Sequence, residues 1–122
     1  MIRLTFTGDI LIEPEQKEAI CSHSDGFDTI FRNILSSFSL SNYIIGNLET
    51  PLAGEELVYS SHKWSFNTPD CLAESLKKAG FNLLTTANNH CLDRGKIGLL
   101  NTLKTLDRYG LEHIGTYAQK SD

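Results

Sequence analysis

Thr85-Thr86-Ala87-Asn88-Asn89-His90-Cys91-Leu92-Asp93-Arg94-Gly95 is the stretch on which the reading of this chain turns. Between Asn88 and Asp93 it packs two amides, an imidazole and a carboxylate. An apolar run, residues 81–84, precedes it, and a helix-periodic run starting near Lys96 follows it. The pattern predicts a strand end, a polar loop and a helix start. In open α/β sheets the loops at the carboxyl ends of strands are where ligands bind. Amide oxygen, imidazole nitrogen and carboxylate oxygen all suit a hard or borderline divalent metal. The same side chains also cap turns and helix starts. On this segment alone both readings stand.

Two earlier segments repeat the arrangement. Residues 2–7 alternate, with Ile2, Leu4 and Phe6 on one face, and predict a first strand ended by Gly8-Asp9. Residues 43–46, Tyr-Ile-Ile-Gly, predict a second strand buried on both faces. It runs into Asn47-Leu48-Glu49-Thr50-Pro51, where the proline keeps Thr50 out of the helical region and holds the loop open. Between these strands, Pro14 sits at the first turn of a short helix ending near Cys21. Apolar residues at 27, 30, 31, 34, 35 and 38 predict a helix with one buried face, and Phe27, Phe31 and Phe38 are core candidates.

Further on, residues 53–62 read as a polar surface excursion and residues 63–66 as a short edge strand. Thr68 and Pro69 suit the N-cap and first position of a helix burying Leu72, Ala73, Leu76 and Ala79. Gly80 should stop it, with Phe81 folding back. Residues 82–86 give a third strand. Residues 96–109 give a helix burying Leu99, Leu100, Leu103 and Leu106, stopped by Gly110, and residues 112–116 give a fourth strand.

Strands alternating with helices imply an α/β fold: a mostly parallel sheet flanked by helices, with right-handed crossovers. All carboxyl ends then lie along one edge of the sheet. Asp9, Asn47, Glu49, Asn88, Asn89, His90 and Asp93 are expected to converge on that rim. Capping explains one such loop easily, and three together much less so.

With 122 residues the chain is expected to form one domain, 1–122, large enough for a core without staples. Hydrophobic content of 40% and charged content of 21% exclude a disordered composition. The net charge of −4 points away from nucleic acid and anionic membranes as partners. A phosphate ligand stays open, because a bound metal reverses the local field. Cys21, Cys71 and Cys91 have no spacing that suggests a disulfide framework or a zinc ribbon, and reduced thiols in the cytoplasm are expected. No run approaches a transmembrane span, and the start of the chain turns polar too soon for a signal peptide. His113 reads as structural, and His23 and His62 as solvated loop residues. Cys91 beside His90 does not make a nucleophile pair, since loop neighbours rarely aim at each other. Trp64 reads as a packing or rim residue. Arg94 and Lys96 suit a phosphate near the rim.

Together these motifs resemble the CapA family of capsule and poly-γ-glutamate biosynthesis proteins, within the calcineurin-like metallophosphoesterase superfamily. The matching residues are Gly8-Asp9, Asn47-Leu48-Glu49-Thr50-Pro51-Leu52, and Ala87-Asn88-Asn89-His90 with Asp93 and Gly95. Phe66-Asn67-Thr68-Pro69, Ala79-Gly80-Phe81 and Gly98 through Leu106 fit as well. The resemblance implies the N-terminal half of a four-layer sandwich, with a site that a second half would complete. It implies Asp9, Asn47, Glu49 and Asn89 as ligands of a divalent metal (Mn, Zn, Fe or Mg, single or dinuclear). It implies His90 and Asp93 as catalytic residues, and Asn88 and Arg94 as contacts to a phosphoester or polyanionic polymer-related substrate. The expected function is a metal-dependent phosphoesterase-type role in capsule or poly-γ-glutamate biosynthesis; alternatively the scaffold is a non-catalytic binding or assembly module. An unpaired sheet edge predicts a homo-oligomer.

Overall fold

In the computed structural model, which describes residues 1–59 and 63–119, the alternating start of the chain forms strand β1, Leu4–Ile10. Gly8-Asp9 does not end it. Between the pairs Phe6↔Ile45 and Asp9↔Asn47, β1 uses one residue more than its neighbour, so a bulge absorbs the irregularity and the strand continues to Ile10. Asp9 thereby lies directly opposite Asn47.

Strands β2 (Tyr43–Leu48), β3 (Leu83–Thr85) and β4 (Glu112–Ile114) complete a sheet of order β1-β2-β3-β4, parallel at every neighbouring pair. Helices α1 (Pro14–Cys21), α2 (Asp28–Phe31), α3 (Leu35–Phe38), α4 (Cys71–Ala79) and α5 (Gly95–Arg108) lie in the connections. The α/β fold with a parallel sheet flanked by helices is borne out.

Strand order that steps one way, with crossovers of one hand, puts the connections on a single face. The second strand is therefore not buried on both faces, contrary to expectation. Ile44, Gly46 and Leu48 are buried, while Tyr43, Ile45 and Asn47 are half-exposed. The other face carries Leu4, Phe6 and Ile114, exposed by 52%, 69% and 49%. Phe6→Thr is accordingly expected to shift Tm by no more than about 2–4 °C in a thermal melt, the effect of a surface change.

The core lies between the sheet and the helices. Phe81 meets Phe31 and Phe38 edge-on, with ring centroids 5.8 and 5.3 Å apart. The 27–38 segment is not one helix: a 3-10 turn, Arg32–Ile34, separates α2 from α3. The break changes the phase of the apolar face. Phe27, Phe31 and Phe38 stay buried, and Ile30, Ile34 and Leu35 turn partly outward.

Helix α4 buries Leu72, Ala73, Leu76 and Ala79 as its spacing predicts. Gly80 stops it at φ 103°, and the Phe81 amide donates back to the Leu76 carbonyl at 3.1 Å. Its start differs from expectation, because Asp70 is the N-cap. Thr68 is buried instead, its amide on the Pro51 carbonyl at 2.9 Å and its hydroxyl 2.7 Å from that of Thr50. A tertiary partner has outbid the local cap.

Residues 63–66 form no strand. Helix α5 buries Gly98, Thr102, Leu103, Thr105 and Leu106, while Leu99 and Leu100 are half-exposed. It is turned toward residues 52–53: Leu52 N–H donates to Thr102 Oγ1 at 2.9 Å, and Asn101 Nδ2 donates to the Ala53 carbonyl at 3.0 Å. Leu52 and Ala53 are fully buried, so the segment after Pro51 does not begin as a surface excursion. His62 lies outside the described residues. Among the described residues no helix is long and apolar enough to cross a membrane.

Candidate functional site

The register places Asp9, Asn47 and Thr85 in one cross-strand row at the carboxyl ends of β1, β2 and β3. In a parallel sheet each of these strands exits toward the same edge, so their following loops share it. Asn47 is the hub. Its Nδ2 donates to Asp9 Oδ1 at 2.8 Å, and its Oδ1 accepts from Thr85 Oγ1 at 3.0 Å and Asn88 Nδ2 at 3.3 Å.

Glu49 follows β2, its amide held by the Ile10 carbonyl at 3.0 Å. Its carboxyl group interacts with that of Asp9, and the two acids shift in opposite directions. The Asn47 amide, and then the hydrogen bond from Glu49, hold Asp9 below the usual carboxylate range. The bond to Asp9, burial and the Asp9 charge push Glu49 up, with His90 acting the other way. Shifts in opposite directions are the expected result of two like-charged groups meeting.

The loop after β3 is folded by its own side chains. Asn88 Nδ2 also donates to the Leu48 carbonyl at 2.9 Å, and Asn88 Oδ1 accepts the His90 amide at 3.1 Å. His90 Nδ1 lies 2.9 Å from Asp93 Oδ2, and both side chains are mostly buried, at 15% and 13% exposure. A carboxylate only accepts, so Nδ1 carries the hydrogen and Nε2 is the nitrogen left for a ligand or substrate. Asp93 Oδ2 also accepts the Phe66 amide at 2.7 Å, and the Phe66 ring meets the imidazole edge-on at 4.8 Å.

Six of the sequence-predicted residues thus meet in one network or beside it: Asp9, Asn47, Glu49, Asn88, His90 and Asp93. Asn89 is exposed. Arg94 turns to the preceding loop, donating to Ser65 Oγ at 2.6 Å and to the Ser65 and Val58 carbonyls at 3.3 Å. Thr85, Ser65 and Phe66 belong to the site's frame and escaped sequence reasoning. Thr85 was readable from its place at the end of the third strand and Phe66 from the family-like segment it opens, whereas nothing local marks Ser65. Among the described residues, no group of three or more His, Cys, Asp or Glu side chains is gathered closely enough to hold a metal ion. The neighbouring Asp9 and Glu49 carboxyl groups are nonetheless of the kind whose mutual repulsion a divalent ion relieves.

Fold and rim define a parallel α/β protein with an acid-, amide- and imidazole-bearing edge. The chain belongs to the bacterial capsule synthesis protein family PGA_cap, whose model matches residues 3–122. It is similar to the capsule biosynthesis protein CapA of Bacillus anthracis, 28% identical over 93% of this chain and 28% of that protein. It is also similar to the PGA biosynthesis protein CapA of Bacillus subtilis strain 168, 28% identical over the whole chain and 32% of that protein. An uncharacterised protein, y4sH of Sinorhizobium fredii, is 29% identical over 75% of the chain and 21% of its own length. The chain thus spans about a third or less of these curated relatives.

Proposed function

We propose that this chain contributes the rim of a metal-dependent, phosphoesterase-type site acting in capsule or poly-γ-glutamate biosynthesis. The observation that supports this most is the Asp9–Glu49 pair. The Asp9 carboxyl group on β1, held by the Asn47 amide, faces that of Glu49 in the loop after β2, and each shifts the other's ionisation, with His90 within electrostatic reach of Glu49. Asp9 and Glu49 would hold a divalent ion, with Asn47 as the adjacent amide and Asn89, exposed on the loop after β3, as a further ligand. When bound, such an ion supplies Lewis-acid polarisation and a more acidic water. His90, aligned by Asp93, would move a proton at the leaving group through Nε2. Asn88 holds the loop in shape through both ends of its amide. The substrate class is a phosphoester or a polyanionic polymer-related molecule.

Calorimetric titration with Mn²⁺ tests the reading. Wild type is expected to bind, and Asp9→Ala and Glu49→Ala are each expected to weaken binding at least about tenfold. Unchanged binding in both variants would sink it. A generic phosphodiester assay on the same samples then separates catalysis from the second reading, in which the rim binds and assembles without turnover. The edges of β1 and β4 remain the surfaces on which self-association is proposed.

A further inference from the structure

Backbone groups of opposite polarity fix the Asn88 amide at both of its ends. Its Oδ1 accepts the His90 N–H at 3.1 Å, and its Nδ2 donates to the Leu48 carbonyl at 2.9 Å. The atom it turns toward Asn47 is therefore a donor, Nδ2, 3.3 Å from Asn47 Oδ1. Thr85 brings a second donor to the same oxygen. Its hydroxyl lies 3.0 Å from Asn47 Oδ1 and 3.5 Å from the Gly46 carbonyl, so its single hydrogen goes to the amide. An amide oxygen has two lone pairs, and both are then taken. The other end of that amide, Nδ2, is left facing Asp9 Oδ1 at 2.8 Å. Polarity thus runs one way, from the backbone of His90 through Asn88 and Asn47 to Asp9. An ionised carboxylate offers about four lone-pair sites, so Asp9 keeps room for a cation beside this bond.

We propose that Thr85 and Asn88 are positioning residues that lock Asn47 as a donor to Asp9, so that Asn47 serves a bound cation through the Asp9 carboxylate and is not itself a ligand. The proposal rests on the metal-site reading of the rim. Turning the Asn47 amide over to offer Oδ1 to an ion breaks its hydrogen bonds to Asp9, Thr85 and Asn88. It also sets oxygen against oxygen at Asp9 and NH₂ against NH₂ at Asn88, which leaves polar groups unsatisfied on both sides. The same lock joins the loop that carries His90 to the strand that carries Asp9, so one hydrogen-bond chain places both.

Thr85→Val provides the test, because it keeps the shape and strand preference of the residue and removes only the hydroxyl. Thr85→Ser returns the hydroxyl, and Asn88→Asp replaces the donor facing Asn47 by an acceptor. The first readout is NMR of the metal-free protein. In wild type the Asn47 side-chain NH₂ should show cross-peaks to the Asp9 β-protons. These should weaken in Thr85→Val and return in Thr85→Ser. In Asn88→Asp the NH₂ should turn over, and its cross-peaks should move to the β-protons of residue 88. The second readout is calorimetric titration with Mn²⁺: Thr85→Val should bind about tenfold more weakly than wild type, and Thr85→Ser within about twofold of it. Cross-peaks and Mn²⁺ affinity both unchanged in Thr85→Val would overturn the proposal. Tighter Mn²⁺ binding by Thr85→Val would overturn it too, since the freed Asn47 oxygen would then be a ligand. A wild type that binds no Mn²⁺ would overturn the metal-site reading, and with it the service to a cation, while the cross-peaks still decide whether Thr85 and Asn88 hold the amide.

Discussion

Phe81→Ala is expected to destabilise the protein by about 3–5 kcal/mol, a large share of the about 5–15 kcal/mol that holds a domain folded. The ring is 2% exposed and lies where three parts of the fold meet. Phe31 and Phe38 pack against it edge-on, and its own amide closes the end of α4. Removing it opens a cavity that flanking helices and sheet cannot all close at once. A urea melt should show a lower midpoint with an unchanged slope. The ring also explains the glycine in β2. A Cβ on Gly46 would come within 2.8 Å of Phe81 Cε1 and Ile10 Cδ1, and 2.9 Å of Thr7 Oγ1. Gly46→Ala should therefore cost about 1–3 kcal/mol alone. In the Phe81→Ala background part of that clash disappears, so the pair should be non-additive by about 1 kcal/mol. Strict additivity would show that Phe81 does not set the space above Gly46.

That contact also shows why parts of the fold were legible and others were not. Strand and helix identities follow from local periodicity, and the Gly80-Phe81 stop follows from local turn chemistry. The convergence of Asp9, Asn47 and Glu49 follows from topology alone, since parallel strands send their loops to one edge. The failures came where a distant partner decided the outcome. Thr68 has every local feature of a cap, yet Thr50 and the Pro51 carbonyl draw it inside. Residues 63–66 alternate like a strand, but Asp93 takes the Phe66 amide and Arg94 takes Ser65. The apolar run of β2 suggested two buried faces because composition does not reveal on which side the crossovers pass. Likewise the sequence presents Asn88 and Arg94 as ligand contacts, while the structure shows most of their hydrogen-bonding groups engaged by neighbouring chain.

Asp93→Ala is expected to cost about 2–4 kcal/mol, because one carboxylate oxygen serves two donors that nothing else can satisfy. Oδ2 accepts the Phe66 amide and faces His90 Nδ1, and the side chain is 13% exposed. Truncation strands a backbone N–H and an imidazole N–H in a half-buried place. Asp93→Asn should cost roughly half as much, since an amide oxygen in the Oδ2 position can still accept from both donors, though without the charge that strengthens those bonds. Hydrogen exchange sharpens the expectation: the Phe66 amide should lose protection in the alanine variant more than amides of β2. The His90 and Phe66 rings, 4.8 Å apart edge-on, should also lose their mutual NMR cross-peaks. If instead Asp93→Ala leaves Tm and the ring contact intact, the His90 imidazole is held by Phe66 packing alone. Asp93 would then not be the residue that selects Nε2 as the reactive nitrogen. A loss confined to stability, with the ring contact preserved, would assign Asp93 to the backbone of residue 66 and leave His90 free to rotate.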